Sequence, residues 1–448
     1  MQFSLNEIEK CLDCEILYKK ENINSEELFN ISTDTRKLQK GDVYLPLRGE
    51  NFDGHNFIQK ALENGARGYF TQDKFKIDKS ADFIIYVKNS LIAYLELAYY
   101  IRKKINPLVV AITGSCGKTT TKEMLYSVFS QQFKTHKTFL NHNNEIGFCE
   151  TMFLMPKDTQ VVIVEMGMRN LGEIELLSQY SNPDVGIISN IGSAHVERLG
   201  TLENIAIAKC EIAKNLKKTG LFIGIDCERL KNNLVYEGEK IFTSLKDVKN
   251  IKMSKDITSF EFENETFEIT QAGEYNISNA LLVIVAALKN GVSLENIKKG
   301  LKAYKPIEKR WEKIETKGLT FINDSYNANP ESMLAVLKTF IAIYNKPIAI
   351  VLGDMLELGK DEIAYHKQIG EFLSNYSDIL LLTVGNLARH IARNTTLKSI
   401  EFDNNEDCAK YILNNIQKGT TILLKASRSM KFEQIIENVK NGENYDND

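Results

Sequence analysis

The chain lacks any apolar run long enough to cross a bilayer. The run Leu281–Leu288 falls far short of the roughly 20 residues that a membrane helix needs. The opening MQFSLNEIEK lacks the basic-then-apolar order of a secretory signal and carries Glu7 and Glu9 instead. A cytoplasmic chain without membrane insertion is expected. An excess of one charge is lacking too, because 56 basic residues face 59 acidic ones for a net charge of −3. That balance provides no field for nucleic acid or anionic lipid, so an anionic ligand must be held by local groups. Disulfide chemistry is not indicated: seven cysteines, an odd number without a signal segment, point to reduced thiols. Cys11-x-x-Cys14 has no second such pair and no nearby His, so a helix start with two half-buried thiols is expected there, not zinc. There is no low-complexity tract and no internal repeat. Hydrophobic residues at 43% and charged residues at 26% exclude disorder and collagen-like structure.

What is present is a long α/β alternation. A length of 448 residues implies about two to four domains. In the first hundred residues Asp42–Leu47, Ala66–Thr71 and Phe83–Val87 read as strands, and Phe57–Asn64 as a helix ending at Gly65. Asn89-Ser90 can cap a helix from Leu91 to Ile105, halted by Asn106-Pro107, which marks a first boundary. From there Leu108–Ile112, Val161–Val164, Val185–Ile188 and Leu221–Ile225 are continuous apolar runs of the kind buried in parallel sheets. The helix Ser278–Lys289 and a Lys-rich connection through Lys305-Pro306 close this unit. Leu319–Asn323, Pro347–Leu352, Ile379–Val384 and Thr421–Leu424 predict a further nucleotide-fold-like unit, and the tail Asn441–Asp448 is expected to fray. The expected domains are 1–106, 107–306 and 307–448.

The clearest chemistry lies in Leu108–Leu125, LVVAITGSCGKTTTKEML. A buried strand runs into a glycine turn, then Lys118, then a helix opened by Thr119, Thr120 and Thr121. Backbone N–H groups at such a helix start cradle phosphate oxygens, and the macrodipole favours their charge. Lys118 can face the β/γ-phosphates and the Thr119 hydroxyl can ligate Mg²⁺. The spacing Gly114-x-x-Gly117-Lys118-Thr119 is shorter than the common phosphate loop, because Ile112 stands five residues before Gly117. Gly114, Ser115, Cys116, Gly117, Lys118, Thr119 and Thr120 form the expected ATP loop, in which Cys116 reads as a small buried thiol. Glu165 ends one strand run, and His195 follows another in NIGSAHVERLGT. Taken alone His195 reads as a structural histidine; beside the loop and Glu165 it can complete a magnesium sphere.

These segments resemble the Mur ligase family, ATP-dependent amide-forming enzymes of bacterial cell-wall synthesis, over nearly the whole chain. TGSCGKTTT is similar to the family's ATP loop, EMG to its metal-binding carboxylate segment and NIGSAHVERLGT to its magnesium histidine segment. IAIAKCEI resembles the stretch that carries a carbamylated lysine, here Lys209, and YNISNA the stretch that contacts adenine, with Asn276 and Asn279. STDTRKLQKGDVYLPLRGENFDGHNF, NHNNEIGF, NDSYNANPESM, GDMLELG and KASRSM resemble the branch that joins D-alanyl-D-alanine to UDP-N-acetylmuramoyl-tripeptide. The DNPR motif of the diaminopimelate-adding branch is absent. The resemblance implies three α/β domains: an N-terminal one for the UDP substrate, a central parallel-sheet one for ATP, and a C-terminal Rossmann-like one for the amine and for closure.

The implied reaction is transfer of the γ-phosphoryl group to the tripeptide carboxylate, then attack of the dipeptide amine on the acyl phosphate. Lys118, Arg310 and two magnesium ions would offset the anionic charge, with Thr119, Glu165, His195 and carbamylated Lys209 as metal ligands. Burial lowers a lysine's pKa, which permits its neutral amine to react with CO₂. Arg310 and Asp324 would swing in with the last domain. Asn327 and Asn329 are candidate dipeptide contacts, with a turn-forming Asn-Pro as the other reading. Asn143 and Asn144 are candidate substrate contacts, and Ser32, Arg36 and Phe52–His55 would lie near the UDP part, where surface charge is the other reading of Arg36. The sequence departs from the family at Cys116, at Cys210 and Lys309 where glycine is usual, and at Ala426. These changes bear on loop geometry and remove no ligating group. Trp311, the sole tryptophan, follows Arg310 at the expected hinge. A monomer is expected. The rival readings are a sister ligase that adds a single amino acid such as diaminopimelate or lysine, or glutamate to folate; a catalytically dead nucleotide-binding regulator; and a phosphate-loop kinase or GTPase, which the loop spacing disfavours.

Overall fold

The computed structural model describes residues 2–49, 51–75, 77–306 and 309–442. The tail beyond Gly442, expected to fray, and residue 307, where the last domain is expected to begin, lie outside the described residues.

The first unit is built on a five-stranded sheet in the order Cys14–Lys19, Phe83–Val87, Gly68–Thr71, Val43–Tyr44, Ile31–Ser32. Only the edge strand Cys14–Lys19 is antiparallel to its neighbour. The strands expected at Asp42–Leu47 and Ala66–Thr71 are shorter in the structure. The helix expected at Phe57–Asn64 is a 3₁₀ turn, Gly54–Phe57, running into a short α-helix, Ile58–Glu63. Cys11 ends the helix Leu5–Cys11 and Cys14 begins the edge strand, so the pair lies at a helix end and not at the expected helix start. Burial pushes Cys11 up to about 12 and Cys14 up to about 11, which keeps both thiols protonated and unreactive at neutral pH.

The helix Ser90–Ile105 links this unit to the next. Asn89 caps it by accepting from the N–H groups of Leu91 and Ile92, and left-handed Asn106 ends it. Its Arg102 is buried and donates to the carbonyls of Ser181 and Asn182 at the end of the helix Glu173–Ser181. Those carbonyls have no partner inside their own helix, so the guanidinium satisfies them and joins the two units.

The second unit holds a wholly parallel six-stranded sheet. Its order is Glu239–Thr243, Leu221–Ile225, Val185–Ile188, Leu108–Thr113, Val161–Glu165, Thr135–Lys137. Leu108–Thr113 is central, and the chain visits the strands on one side of it before crossing to the other. The crevice beyond the carboxyl ends at such a reversal is where open α/β sheets bind ligands. One face packs on the helices Lys118–Phe129, Glu274–Lys289 and Leu294–Ala303 together with a small antiparallel sheet, Val248–Met253, Thr258–Phe262 and Glu265–Ile269. The other face shares a core with the first unit. The helix expected from Ser278 begins four residues earlier, at Glu274, directly after Gly273, whose φ of +105° breaks the chain direction before it.

The third unit is a six-stranded sheet in the order Glu312–Thr316, Leu319–Asn323, Thr421–Lys425, Ile348–Gly353, Ile379–Val384, Ser399–Phe402. Only the first pair is antiparallel, and helices cover both faces. Among the described residues no helix is long and apolar enough to cross a membrane.

Candidate active site

The phosphate loop emerges from the central strand Leu108–Thr113. Gly114 has φ +150° and Gly117 φ +78°. A Cβ on Gly114 would lie 2.0 Å from Ser189 Oγ, and one on Gly117 would lie 2.5 Å from Asn279 Oδ1. Both positions therefore require glycine. The residues after the strand Val185–Ile188 brace the loop: Cys116 N–H donates to Asn190 Oδ1 at 2.7 Å, and Ser115 Oγ–H donates to the Gly192 carbonyl at 2.9 Å. Gly117 caps the helix Lys118–Phe129 without a side-chain hydrogen bond, and the first i→i−4 bond runs from Thr121 N–H to Gly117. The N–H groups of Lys118, Thr119 and Thr120 thus precede the helical ladder and are available to an anion.

Around this helix start lie charged groups from three segments. Lys118 Nζ donates to the Gly114 carbonyl at 2.7 Å, and burial lowers its pKa while Glu165 opposes that shift. Glu165, at the end of its strand, is buried. Its Oε1 accepts from Thr119 Oγ1 at 3.2 Å and from Asn143 Nδ2 at 3.0 Å. Its Oε2 has no hydrogen bond, although the Lys122 ammonium lies 3.3 Å away. A buried carboxylate whose second oxygen meets only the Lys122 ammonium among the described residues, beside a helix start with open N–H groups, suits a hard cation. Lys209, in the helix Leu202–Cys210, is 1% exposed and has no carboxylate partner among the described residues. Burial, and then Lys118, push its pKa well below the ordinary lysine value. His195 stands in left-handed conformation at φ +66° and donates from Nδ1 to Glu357 Oε2 at 2.8 Å. That hydrogen bond is the main cause holding the Glu357 carboxyl below the usual range. Among the described residues no three His, Cys, Asp or Glu side chains cluster as a metal cage. A metal here would need oxygens from the nucleotide or from a carbamate, and Thr119, Glu165, His195 and Lys209 all line the same cleft.

The third unit closes the other wall. Arg310 Nη2 donates to Thr119 Oγ1 at 3.1 Å, and its guanidinium lies 4.1 Å from the centre of the Tyr326 ring. Asp324 accepts from Trp311 N–H at 3.0 Å and pairs with Lys425 at 2.6 Å, and Lys425 also donates to the Asn327 carbonyl. Asn329 caps the helix Pro330–Ile343, and its Nδ2 is 3.0 Å from Cys116 Sγ in the phosphate loop. Glu331 accepts from both the N–H and the hydroxyl of Ser193.

The cleft that results has a volume of about 1400 Å³ and is lined from all three units, with Asn51 and Phe52 from the first and Asn327 and Trp311 from the third. Of the expected site residues, the ATP loop, Glu165, His195, Lys209, Arg310, Asp324, Asn276, Asn279, Asn143, Asn144, Asn327 and Asn329 all line it. Several of these are already engaged locally: Asn144 and Asn329 cap the helices Glu145–Leu154 and Pro330–Ile343, the Asn327 side chain accepts from Ala328 N–H, and the Asn276 amide donates to the Ala272 carbonyl. Ser32 and Arg36 are not among the lining residues. Arg36, with an 87% exposed side chain, pairs with Asp34 two residues away, and Ser32 Oγ donates to the Asp34 carbonyl. The structure does not bring these two to the cleft. Sequence reasoning missed Lys122, Glu331, Glu357 and Lys425. Lys122 had a usable signal, since it lies four residues after Lys118 on the same helix face. Glu331, Glu357 and Lys425 act across loops and across units, which no local spacing encodes, although each lies in a segment likened to the family above, NDSYNANPESM, GDMLELG and KASRSM.

Comparison with known proteins agrees along the whole chain. Residues 27–108 match the Mur ligase family catalytic domain, residues 112–287 the Mur ligase middle domain and residues 309–428 the Mur ligase glutamate ligase domain. The UDP-N-acetylmuramoyl-tripeptide–D-alanyl-D-alanine ligase of Bacillus subtilis (strain 168) is 38% identical over 428 residues, which is 92% of this chain and 93% of that protein. The crystal structure of MurF from Acinetobacter baumannii superposes with a TM-score of 0.89 at 28% identity, covering 99% of each chain. MurF of Thermotoga maritima in complex with ADP superposes with a TM-score of 0.84 at 27% identity, covering 92% of this chain and 97% of that one. With the three domain matches in order and this degree of identity over nearly its full length, the chain belongs to the Mur ligase family.

Proposed function

We propose that the chain is the ligase that joins D-alanyl-D-alanine to UDP-N-acetylmuramoyl-tripeptide with hydrolysis of ATP, in cytoplasmic synthesis of peptidoglycan precursors. One observation carries the reading: an open helix N-terminus, Lys118, Arg310 and a buried carboxylate meet in a cleft walled by all three units. Such a site can bring an anionic carboxylate to an anionic triphosphate, which is the hard part of the first step. The relatives bear the dipeptide-adding name, which favours this reading over a ligase for a single amino acid or a silent regulator.

In this reading residues 1–106 hold the UDP-muramyl peptide, 107–306 the ATP, and 307–448 the incoming amine. The N–H groups of Lys118, Thr119 and Thr120 hold the β- and γ-phosphates, and Lys118 releases the Gly114 carbonyl to face them. Asn276 and Asn279 flank the adenine, and Asp324 the ribose. Two magnesium ions, held by Thr119, Glu165, His195 and a carbamate on Lys209, supply charge for the phosphoryl transfer when bound. The lowered pKa of Lys209 leaves a neutral amine able to take up CO₂, which supports that carbamate. The tripeptide carboxylate oxygen bonds to the γ-phosphorus as the bond to the ADP oxygen breaks. The dipeptide amine then bonds to the acyl carbon, and phosphate leaves with the carboxylate oxygen. Arg310 neutralises the transferring phosphoryl group, and Asn143, Asn327 and Asn329 orient the two peptides. An acyl phosphate hydrolyses in water, so the third unit serves to exclude solvent as well as to bind. The cleft is walled by all three units of one chain, and a monomer is the state we assign.

ADP release with each component omitted in turn tests this. Turnover is expected only with ATP, Mg²⁺, UDP-N-acetylmuramoyl-tripeptide and D-alanyl-D-alanine together. Turnover with diaminopimelate in place of the dipeptide would establish the sister activity, and no release under any condition would establish the regulator.

A further inference from the structure

Two non-glycine residues in left-handed conformation face one another across the joint between the second and third units. His195 has φ +66° and Glu357 has φ +63°, and their side chains meet at 2.8 Å. Left-handed backbone disfavours residues with a Cβ, so this pair is strained and must be held by its surroundings. The surrounding chain holds it from both sides. Glu197 N–H donates to the Glu357 carbonyl, and Gly359, also left-handed, approaches Glu197 so closely that an added Cβ would lie 3.2 Å from its Cα. Two residues before His195, Ser193 is gripped by Glu331 of the third unit through both its N–H and its hydroxyl.

A carboxylate can only accept a hydrogen bond, so the contact places the imidazole proton on Nδ1 and leaves the lone pair on Nε2. A histidine that ligates through one ring nitrogen commonly donates from the other to a carboxylate, which fixes its tautomer and orientation. The contact is too open to contribute much to stability, since the Glu357 side chain is 53% exposed. Its effect is on orientation.

We propose that Glu357 is a positioning residue for His195, and that it makes the metal site of the second unit depend on docking of the third. The imidazole is presented to a divalent cation only while the segment Gly353–Gly359 lies against it. The proposal rests on the ligase reading, in which His195 is a metal ligand, and it adds that amine-domain closure and metal binding are one event.

The test is Mn²⁺ binding to the full chain in the presence of the non-hydrolysable analogue AMP-PNP, followed by the electron paramagnetic resonance of free Mn²⁺. Glu357→Ala should weaken one Mn²⁺ site about 10–100-fold, as loss of a carboxylate behind a ligating histidine does. Glu357→Gln, whose amide oxygen still accepts from Nδ1–H, should restore most of that affinity. His195→Ala should lose affinity at the same site, and the double variant should lose no more than His195→Ala alone. Melting temperatures of all variants should match that of the parent. Parental Mn²⁺ affinity in Glu357→Ala, additive losses in the double variant, or no loss in His195→Ala would each overturn the proposal. The outcome is separable from the ligase reading, because dipeptide-dependent ADP release by the parent is measured independently of Mn²⁺ affinity.

Discussion

At residue 209 a lysine is buried with no anion to answer it among the described residues, and its pKa falls for that reason. A carbamate would convert this unfavourable cation into a charged oxygen ligand. Lys209→Ala should therefore lower turnover by about 100-fold or more, in line with loss of a metal ligand, and acetate or formate should restore part of it. Parental ADP release by that variant would refute the carbamate. Lys309 shows how a departure from the family is accommodated. It has φ +62°, which accounts for glycine being usual there, and left-handed strain in such a residue is about 1–2 kcal/mol. Its ammonium pairs with Glu433 at 2.9 Å and its N–H donates to Glu312, two contacts that fix the strained turn just before Arg310. Cys210 is buried and pushed up to about 12, so it acts as a small apolar side chain in the place of glycine.

Among the elements, the helix Pro330–Ile343 carries the most information. Asn329 and Ser332 form a reciprocal capping box, Pro330 takes the first turn, and the same Asn329 amide reaches Cys116 in the phosphate loop. One side chain thus caps a helix in the third unit and touches the nucleotide loop of the second. Asn329→Ala should cost about 1 kcal/mol of stability through the lost cap. Asn329→Asp keeps the cap and suits the helix dipole, so it should melt like the parent. Its new carboxylate faces the loop, so the variant should show a KM for ATP raised several-fold; an unchanged KM would remove Asn329 from the nucleotide side of the cleft. Two hairpins that sequence reading missed have a common cause, although the strand Leu319–Asn323 of the second was expected by itself. The hairpin Thr258–Ile269 turns at Glu263 and Asn264, both left-handed, and the hairpin Glu312–Asn323 at Lys317 and Gly318, also both left-handed. These are geometries of the two-residue hairpin, but Glu-Asn and Lys-Gly are not the Asn-Gly pair that signals it. By contrast, Phe83–Val87, Val185–Ile188, Leu221–Ile225, Leu319–Asn323 and Ile379–Val384 match their expected bounds, because strands buried on both faces are continuous apolar runs.

For the whole molecule, the joint between the second and third units gathers the contacts that complete the cleft. Arg310, Asn329, Glu331 and Glu357 all cross it, and Trp311 sits in it, 7% exposed, with its indole N–H buried and without a hydrogen-bond partner among the described residues. Binding of AMP-PNP with the UDP-muramyl tripeptide should change Trp311 fluorescence in intensity or wavelength. No change at saturation, with binding confirmed by calorimetry, would mean that the joint does not respond to those ligands. By itself the sequence determined the three α/β units and the phosphate loop. Buried strands, helix caps and glycine turns are written in neighbouring residues, and TGSCGKTTT is a contiguous motif. It also supplied the candidates for the chemistry, Glu165, His195, Lys209 and Arg310. Only the tertiary structure decided what these groups face. It paired His195 with Glu357 and Ser193 with Glu331, set Lys122 beside Glu165, and left Ser32 and Arg36 outside the cleft. The contacts of His195 and Ser193 and the place of Ser32 and Arg36 depend on how the units dock, which is fixed by complementary surfaces far apart in the chain. The Lys122–Glu165 contact depends on a helix packing beside a strand inside the second unit.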